Sequence, residues 1–517
     1  MTALSILSRR SGVPLVALAA ALAVQPIAAQ IAPHPARPAS PPAAALVTPV
    51  ASATGPWGLQ RAIDYALAHN IGVRINQLTV QNNAQVLRQS KAALLPTANL
   101  SATQAWQYGT SVNPLTFVFQ SQTVRSNNVS GSSQLVLFQG FQLRNTIRRN
   151  ALDLQASEAD VQKARNDLSL NVASAFLQAG LAQELVRANQ FYVTRDQEQI
   201  ARTKLLLQAG SIPESTLLDS QSQLATDELN VVNAQNQATI ARLNLLQLLN
   251  LDPAANPDFQ IEVPNLPDPD EENALVLNTD ELFQGAATRQ PEIKAADLRV
   301  LSAGRSVELA RGAYYPRLIL AGSIFSGFSS ARTVTQIGGD STARRTTFFV
   351  QNLTTPGGAL TPLSVITYQR NESTLPQNYW DQLNQNLGQQ VQFALSIPIL
   401  NGLQVRTNVQ RTLINAQQVQ LQAEQARLTL RQSIEQAYAD ARAAQLQYAA
   451  SKRQVTALTT TQRNSEIRFN NGLLSGTEFN IAKNNLNFAI SNQMQAKYTF
   501  IFRRKVLAFY DGKSLTQ

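Results

Sequence analysis

The chain has 517 residues, of which 44% are hydrophobic and 15% are charged, and its formal net charge is +10. It contains no Cys, which excludes disulfide bonds, thiolate metal sites and a cysteine nucleophile, and its two histidines are too few for a conventional His-rich metal site. The basic residues are scattered among Gln and Asn rather than clustered. Solvated helix faces therefore explain the positive charge better than nucleic-acid binding does.

The first 56 residues have the composition of a targeting segment followed by a linker. Residues 1–29 predict a secretory signal peptide, with Arg9 and Arg10 as its positive start and Val13–Val24 as its short apolar core. Residues 30–56 are rich in Ala and Pro and predict a flexible linker. No later window approaches about 18 consecutive apolar residues. A membrane crossing by the mature chain would therefore use β-strands.

Residues 57–250 form the first of two similar units. They predict a shorter helix, a strand pair over 97–139 and a long helical hairpin over 141–250. Gly180 is the only Gly or Pro between Phe141 and Ala209, which favours one continuous helix. Residues 251–278 are Pro-rich and acidic and predict a surface connector that adds a short strand.

Residues 279–512 repeat this plan, with a strand pair over 317–398 and a helical hairpin over 403–510, and residues 513–517 predict a short tail. Gly140 and Gly402 are 262 positions apart, and so are Gly210 and Gly472. A constant long offset of this kind indicates a duplication.

The run from Leu403 to Asn471 contains neither Gly nor Pro and predicts a helix roughly 100 Å long at about 1.5 Å per residue. Its apolar and small residues follow alternating steps of four and three, which is the period of a coiled coil. These residues are Val409, Leu413, Ala416, Ala423, Leu430, Ile434, Ala437, Ala441, Ala444, Tyr448, Val455 and Leu458.

Four segments alternate between apolar and polar residues: Ala98–Tyr108, Val129–Phe138, Leu318–Phe328 and Leu387–Ile397. One such segment alone is more typical of a half-buried strand in a soluble sheet. Four of them, two per repeat and set between long helices in an exported chain, indicate an outer-membrane β-barrel instead. A barrel needs about eight strands, so several chains must contribute, and three chains give twelve. The predicted fold class is mainly α with membrane β.

Two loops join the predicted strands. Gly109–Asn127 predicts a short loop, and the longer segment 329–380, rich in Gly, Thr, Asn and Ser, predicts a solvent loop at the cell surface. Folding of the longer segment inward as a plug is the alternative, and the sequence does not decide between them.

Several motifs, in this order and spacing, resemble the TolC-like outer-membrane efflux proteins from Trp57 to Gly512. They are Trp57–Asn70, Arg289–Ala296, Tyr315–Pro316, Ser396–Gly402 and the Gly tips at Gly210 and Gly472. The resemblance implies a homotrimer in which a twelve-stranded barrel in outer-membrane lipid continues into a twelve-helix periplasmic tunnel. It further implies a Gram-negative cell, with an inner-membrane pump and a periplasmic adaptor that deliver small molecules or polypeptides for export.

The resemblance also implies an entrance gate at the tips. In the family, acids six and nine positions beyond the second tip Gly ring the entrance. Here Glu478 stands at the first position and Ile481 at the second, while Asp219 takes the second position of the first repeat. A ring of three carboxylates would favour cations. The alternative for both acids is ordinary stabilisation of a helix N-terminus.

Two further features of the tips are implied in the same way. Phe469 stands where the family often has Tyr, and Leu474 replaces a basic residue, so apolar contacts are the hypothesis for closure. The tip residues resemble the adaptor-docking motif of the family. Apolar groups exposed at a turn usually have a partner, which favours docking. The alternative is that these residues are simple helix C-caps. These residues are Gly210, Ser211, Ile212, Gly472, Leu473 and Leu474.

The sequence carries no Gly-rich phosphate loop, no His-Glu-x-x-His and no Gly-x-Ser-x-Gly elbow. Acids such as Asp227 and Glu228 are predicted on exposed helices rather than in a cleft. We therefore expect no enzyme, cofactor or metal site. The competing hypothesis is a non-conducting periplasmic coiled-coil scaffold, which has no need of amphipathic strands.

Overall fold

A computed structural model of the chain describes residues 55–112, 119–262, 278–351 and 360–513. The predicted signal peptide, nearly all of the linker, the acidic part of the connector and residues 514–517 lie outside these ranges. The chain divides into two compact units, one of which includes the described residues 55–56 and Asn256–Gln260. All helices and strands below belong to the other unit.

The elements follow the duplicated plan. The first repeat contains α1 (Leu59–His69), α2 (Ile71–Ala92), β1 (Thr97–Val112), β2 (Phe119–Gln139), α3 (Gln142–Gln208) and α4 (Glu214–Leu249). The second contains α5 (Thr279–Arg289), α6 (Pro291–Arg311), β3 (Arg317–Ser329), β4 (Thr333–Gln351), β5 (Leu360–Pro376), α7 (Tyr379–Gln385), β6 (Gly388–Ser396), α8 (Gln404–Asn470) and α9 (Gly476–Tyr510).

Each repeat begins with two helices where the sequence predicts one. The break between α1 and α2 lies at Asn70, whose backbone is extended and whose side-chain oxygen accepts a hydrogen bond from Gly72 N at 2.8 Å. An Asn that caps the following helix in this way competes with helix continuation. Gln290 has nearly the same extended backbone between α5 and α6, where Pro291 opens the second helix.

The long helices are confirmed. α3 and α8 each have 67 residues, and the returning helices α4 and α9 have 36 and 35. In α8 the buried apolar residues lie on the predicted coiled-coil positions, among them Ala423, Leu430 and Ala437. α3 is continuous through Gly180, which is buried. A core cluster lies where α5 and α6 pack on α8 and α9; its members are Leu282, Ala286, Ile293, Leu430, Ile434, Ala437, Ala441 and Leu507.

The four predicted strands form one antiparallel sheet in the order β1-β2-β3-β6. The β2–β3 pairing, from Ser126 opposite Ser329 to Gln139 opposite Arg317, joins the two repeats at the centre of the sheet. Within the described residues neither β1 nor β6 has a second neighbour. The sheet of one chain is therefore open at both edges.

The register separates apolar from polar side chains across this sheet. Leu318 lies opposite Leu395 and Leu320 opposite Phe393 on one face. Leu100, on the same face of β1, is 81% exposed. The other face carries pairs such as Ser101 and Ser130, whose hydroxyl oxygens are 2.7 Å apart. The predicted alternation is thus confirmed at the level of the whole sheet.

Both loop predictions are wrong. Gly109–Asn127 is not a loop, because β1 pairs with β2 along its full length of 16 residues, from Thr97 opposite Gln134 to Val112 opposite Phe119. Segment 329–380 contains β4, β5 and the first residues of α7. Its Thr, Val, Phe, Ile and Tyr residues favour strands, and they outweigh its Gly and Asn. Among the described residues, the β4–β5 hairpin pairs with itself and not with the four-stranded sheet.

The described part of the connector makes one contact of the predicted kind. Trp57 and Ile261 form an isolated parallel β-bridge, and Glu262 N donates to Trp57 O at 2.9 Å. Among the described residues, no helix is both long and apolar enough to cross a membrane.

Candidate functional site

The first tip joins α3 to α4 through a left-handed glycine. Gly210 has φ +69°, and Ser211 N donates to Leu206 O at 2.9 Å, which closes the end of α3. A Cβ on Gly210 would have no atom within 4 Å, so the glycine provides backbone conformation rather than close packing. α4 then begins behind Pro213, without a hydrogen bond from a capping side chain.

The second tip has the same turn but a stronger helix start. Gly472 has φ +73°, and Leu473 N donates to Arg468 O at 2.9 Å. α9 begins with a capping box in which Glu478 N donates to Ser475 Oγ at 3.2 Å and Ser475 N donates to Glu478 Oε2 at 3.2 Å. Two backbone donors at the helix start are satisfied reciprocally.

The capping box lowers the pKa of the Glu478 carboxyl group and favours its charged form. Hydrogen bonds from the backbone N–H and then the hydroxyl of Ser475 lower the pKa of Glu478 below its usual value. The carboxylate is exposed, and it performs the helix-capping role that the sequence offers as an alternative. Its charge remains at the surface of the tip.

Asp219 lies beside the start of α9 and connects the two tips. Thr477 Oγ1 donates to Asp219 Oδ2 at 3.0 Å. A Cβ on Gly476 would lie 2.9 Å from Thr216 Cγ2, so the first turns of α9 and α4 are in close contact. The structure therefore brings both candidate acids to one surface formed by the two tips.

Phe469 packs within its own hairpin. Its ring stacks on that of Phe479 with centroids 4.9 Å apart and planes at 13°. Phe479 is buried and Phe469 is half-buried. Of the apolar docking candidates, Leu473 is 69% exposed, but Ile212 and Leu474 are half-buried. The expectation that all three are exposed is therefore wrong for Ile212 and Leu474.

A buried charged cluster, which the sequence analysis missed, lies between the two hairpins. Lys483 of α9 forms ion pairs with Asp196 of α3 and with Asp227 of α4, the latter at 3.9 Å from Nζ to Oδ2. Asp227 also accepts a hydrogen bond from Gln223 Nε2 at 3.1 Å and one from Asn230 Nδ2 at 3.3 Å. Asp227 is 5% exposed, so the prediction that it lies on an exposed helix is wrong.

Burial dominates the electrostatics of this cluster. Removal from water, and then the positive charge of Arg195, lower the pKa of Lys483 to about 8. Asp196 is buried, and its Oδ2 has no hydrogen-bond partner. A cavity of ≈ 200 Å³ adjoins the cluster. Because ion pairs of this kind join α9 to both α3 and α4, the cluster holds the second hairpin against the first.

The duplication contained a signal for this cluster. At the offset of 262 positions that relates the tip glycines, Asp196 corresponds to Leu458 and Asp227 to Ala489. Leu458 lies on the predicted coiled-coil seam, and Ala489 is buried. Acids at repeat positions otherwise held by apolar residues are candidates for buried charges. Among the described residues, no group of three or more His, Cys, Asp or Glu side chains could hold a metal ion.

Comparison with known proteins gives the family. The model of the outer membrane efflux protein family matches residues 62–251 and 366–512. The pyoverdine export outer membrane protein OpmQ of Pseudomonas putida is 26% identical over 204 residues, which span 39% of this chain and 41% of OpmQ. The aligned part is therefore less than half of that relative.

Solved structures match over most of the chain. The CmeC outer membrane channel of Campylobacter jejuni has a TM-score of 0.68 at 17% identity and covers 89% of this chain and 87% of its own. CusC has a TM-score of 0.67 at 17% identity, covering 87% and 91%. These matches show the fold, and the family model spans more than half of the chain. The chain therefore belongs to the outer membrane efflux protein family, and its location is the outer membrane of a Gram-negative cell.

Proposed function

We propose that the chain is one subunit of a homotrimeric duct that carries solutes from an inner-membrane pump and a periplasmic adaptor to the exterior. The observation that carries this proposal is the open four-stranded sheet, with an apolar face and with free edges at β1 and β6 in the described residues. An unpaired backbone group in lipid costs several kcal/mol. Identical copies satisfy both edges at once, and three copies give a barrel of twelve strands.

The opposite face of the sheet suits a conducting lumen. Ser101, Ser130 and Gln392 lie on this face, and their short polar groups hydrogen-bond water without binding a solute tightly. The helical hairpins, roughly 100 Å long, would continue this passage through the periplasm. Because OpmQ is named for pyoverdine export, pyoverdine is the first cargo to assay.

The tips are proposed as the adaptor-docking and entrance region. Gly210, Ser211 and Ile212 on one tip, with Gly472, Leu473 and Leu474 on the other, would form the docking surface. Leu473 supports this assignment, because its apolar side chain is 69% exposed at the tip. Glu478 and Asp219 would supply three carboxylates each to the entrance of a trimer, and the Phe469 rings would narrow it.

Single-channel recordings in planar bilayers test the duct and its entrance together. We expect the wild type to conduct with a preference for cations and Glu478→Gln to weaken that preference. Glu214→Gln at the start of α4 is the matched control, because Glu214 is an exposed first-turn acid. Phe469→Ala should raise conductance. Wild-type protein that forms no channels would contradict the duct, and unchanged recordings from both variants would remove these residues from the entrance.

Fractionation separates the duct from the scaffold hypothesis. A duct is recovered as trimers in outer-membrane extracts, whereas a scaffold is recovered from the soluble periplasm as a monomer or dimer. The amphipathic sheet favours the duct, since a soluble scaffold would leave Leu100, Val391 and Phe393 in water.

A further inference from the structure

In the described residues, the strands of the β4–β5 hairpin pair only with each other. It is paired from Thr333 opposite Pro376 to Gln351 opposite Leu360. Large apolar side chains are exposed on both faces: Phe348 and Leu363 on one, Phe349 and Tyr368 on the other. An isolated two-stranded hairpin is marginally stable in water, and its two free edges invite pairing. Such a hairpin needs a partner.

The β1–β2 hairpin extends beyond the four-stranded sheet at the same end. β3 pairs with β2 only as far as Ser126, so β1 from Ala105 to Val112 and its partner residues from Phe119 have no β3 beside them. Ser330, just beyond β3, donates from its N to Arg125 O at 2.8 Å, which places the start of the β4–β5 hairpin next to this extension. Each chain therefore carries two hairpins past the same end of the sheet.

The two hairpins are separate in one chain. In chain order β4 follows β3 and β5 precedes β6, but β4 and β5 form a two-stranded sheet apart from the four-stranded one. Within the described residues the outward edge of β5 and the extended part of β1 are therefore both unpaired.

α7 seals the junction between the four-stranded sheet and the β4–β5 hairpin. The side-chain amide of buried Gln382 accepts a hydrogen bond from Ser329 N at 3.0 Å and donates one to Ser329 O at 3.1 Å. Asn386 Nδ2 donates to Gly327 O at 2.6 Å. These amides replace a neighbouring strand at the end of β3. Strand pairing with another chain would therefore stop at α7 and resume at β5.

Lipid does not suit the hairpin. Arg344 and Arg345 lie halfway along β4, and as consecutive strand residues they point to opposite faces. Both are exposed. Neither face could enter hydrocarbon without burying a charge. A second copy of the chain satisfies the backbone edges as well as the apolar side chains.

We propose that β5 of one copy pairs with the extended part of β1 in the next copy, which gives the three subunits a contact outside the membrane. This inference rests on the trimer of the proposed function. It identifies an additional contact between subunits, beyond the membrane-level pairing of β6 with β1.

Cysteine crosslinking in intact cells tests the contact, since the chain has no native Cys. Thr367→Cys in β5 is combined with Ala105→Cys, Gln107→Cys or Ser111→Cys in β1. The control set combines Gln392→Cys in β6 with Thr97→Cys, Asn99→Cys or Ser101→Cys. We expect covalent dimers and trimers from at least one pair in each set. Crosslinks in the control set alone would overturn the contact between β5 and β1 and leave the trimer intact. Crosslinks in neither set would overturn both.

A deletion gives a second readout. Replacing residues 333–376 by a short Gly-Ser turn removes β4 and β5 and keeps the membrane-level sheet. We expect normal amounts of trimer in the outer membrane and a lower temperature of trimer dissociation. An unchanged dissociation temperature would show that the hairpin does not join subunits.

Discussion

The two repeats share a backbone plan but differ in how tightly that plan is packed. Both strand-to-helix turns use a left-handed glycine, Gly140 at φ +53° and Gly402 at φ +58°. A Cβ on Gly140 would lie 2.0 Å from Gly312 O, whereas a Cβ on Gly402 would have no atom within 4 Å. The duplication has therefore preserved conformation at both turns, while only the first turn is locked against another part of the chain.

The interior and the tips show the same divergence. Asp196 and Asp227 in the first repeat occupy the positions of Leu458 and Ala489 in the second, and Lys483 of the second repeat neutralises part of their charge. At the tips, Pro213 provides no side-chain cap, but Ser475 and Glu478 form a capping box. The repeats are thus not equivalent: the first supplies the buried acids, and the second supplies the lysine that pairs with them and the tip with a capping box.

Breaking the charged cluster should have the largest effect on stability. Lys483→Met leaves two buried acids without their cation, and loss of one partner of a buried ion pair costs about 3–5 kcal/mol. The triple variant with Asp196→Leu and Asp227→Ala gives the first repeat the residues of the second, and we expect it to recover most of the loss. Thermal dissociation of purified trimers measures both. A triple variant no more stable than Lys483→Met would show that the acids do not depend on this lysine.

Alanine at the two turn glycines should separate their roles. Each substitution strains a left-handed backbone by about 1 kcal/mol, and Gly140→Ala adds a clash with backbone at Gly312 that costs about 1–3 kcal/mol more. We expect less mature Gly140→Ala protein in the outer membrane and near-normal amounts of Gly402→Ala. Immunoblots of membrane fractions and dissociation temperatures provide the measurement. Equal losses would mean that the contact with Gly312 contributes nothing.

The difference between the tips should appear as a local effect. Glu478→Ala removes a capping box worth about 1 kcal/mol, so amide exchange at Glu478 and Phe479 should accelerate by about fivefold. Glu214→Ala, where no such box exists, should change exchange at Thr216 less. Hydrogen–deuterium exchange with mass spectrometry resolves the two tips. Equal acceleration at both would leave the capping box without energetic importance.

The helices could be predicted because their signal is local and long. Coiled-coil spacing from Val409 to Leu458 is set by which side chains can share one helix face, and the buried residues of α8 follow it. The end of each long helix could be predicted because Gly210 and Gly472 adopt a backbone that other residues rarely adopt. The four membrane-level strands were recognisable because one face of each must be apolar.

What could not be predicted depends on contacts distant in the sequence. The β4–β5 hairpin was interpreted as a loop because Thr347 and Ser364 are common in loops, and only cross-strand pairing makes them strand residues. The break at Asn70 depends on a side chain that caps forward and also donates to Leu248 O at 3.1 Å. The burial of Lys483 depends on two helices from the other repeat, which helix periodicity does not specify.

In a trimeric duct, identical copies complete one another's sheet, and subunit mixing measures this directly. Tagged and untagged chains are expressed in the same cells, and complexes extracted from the outer membrane are weighed by native mass spectrometry. We expect four species, carrying zero, one, two or three tags, each with the mass of three chains. Recovery of single chains alone, tagged or untagged, would contradict the trimer. Three species with the mass of two chains would contradict it as well.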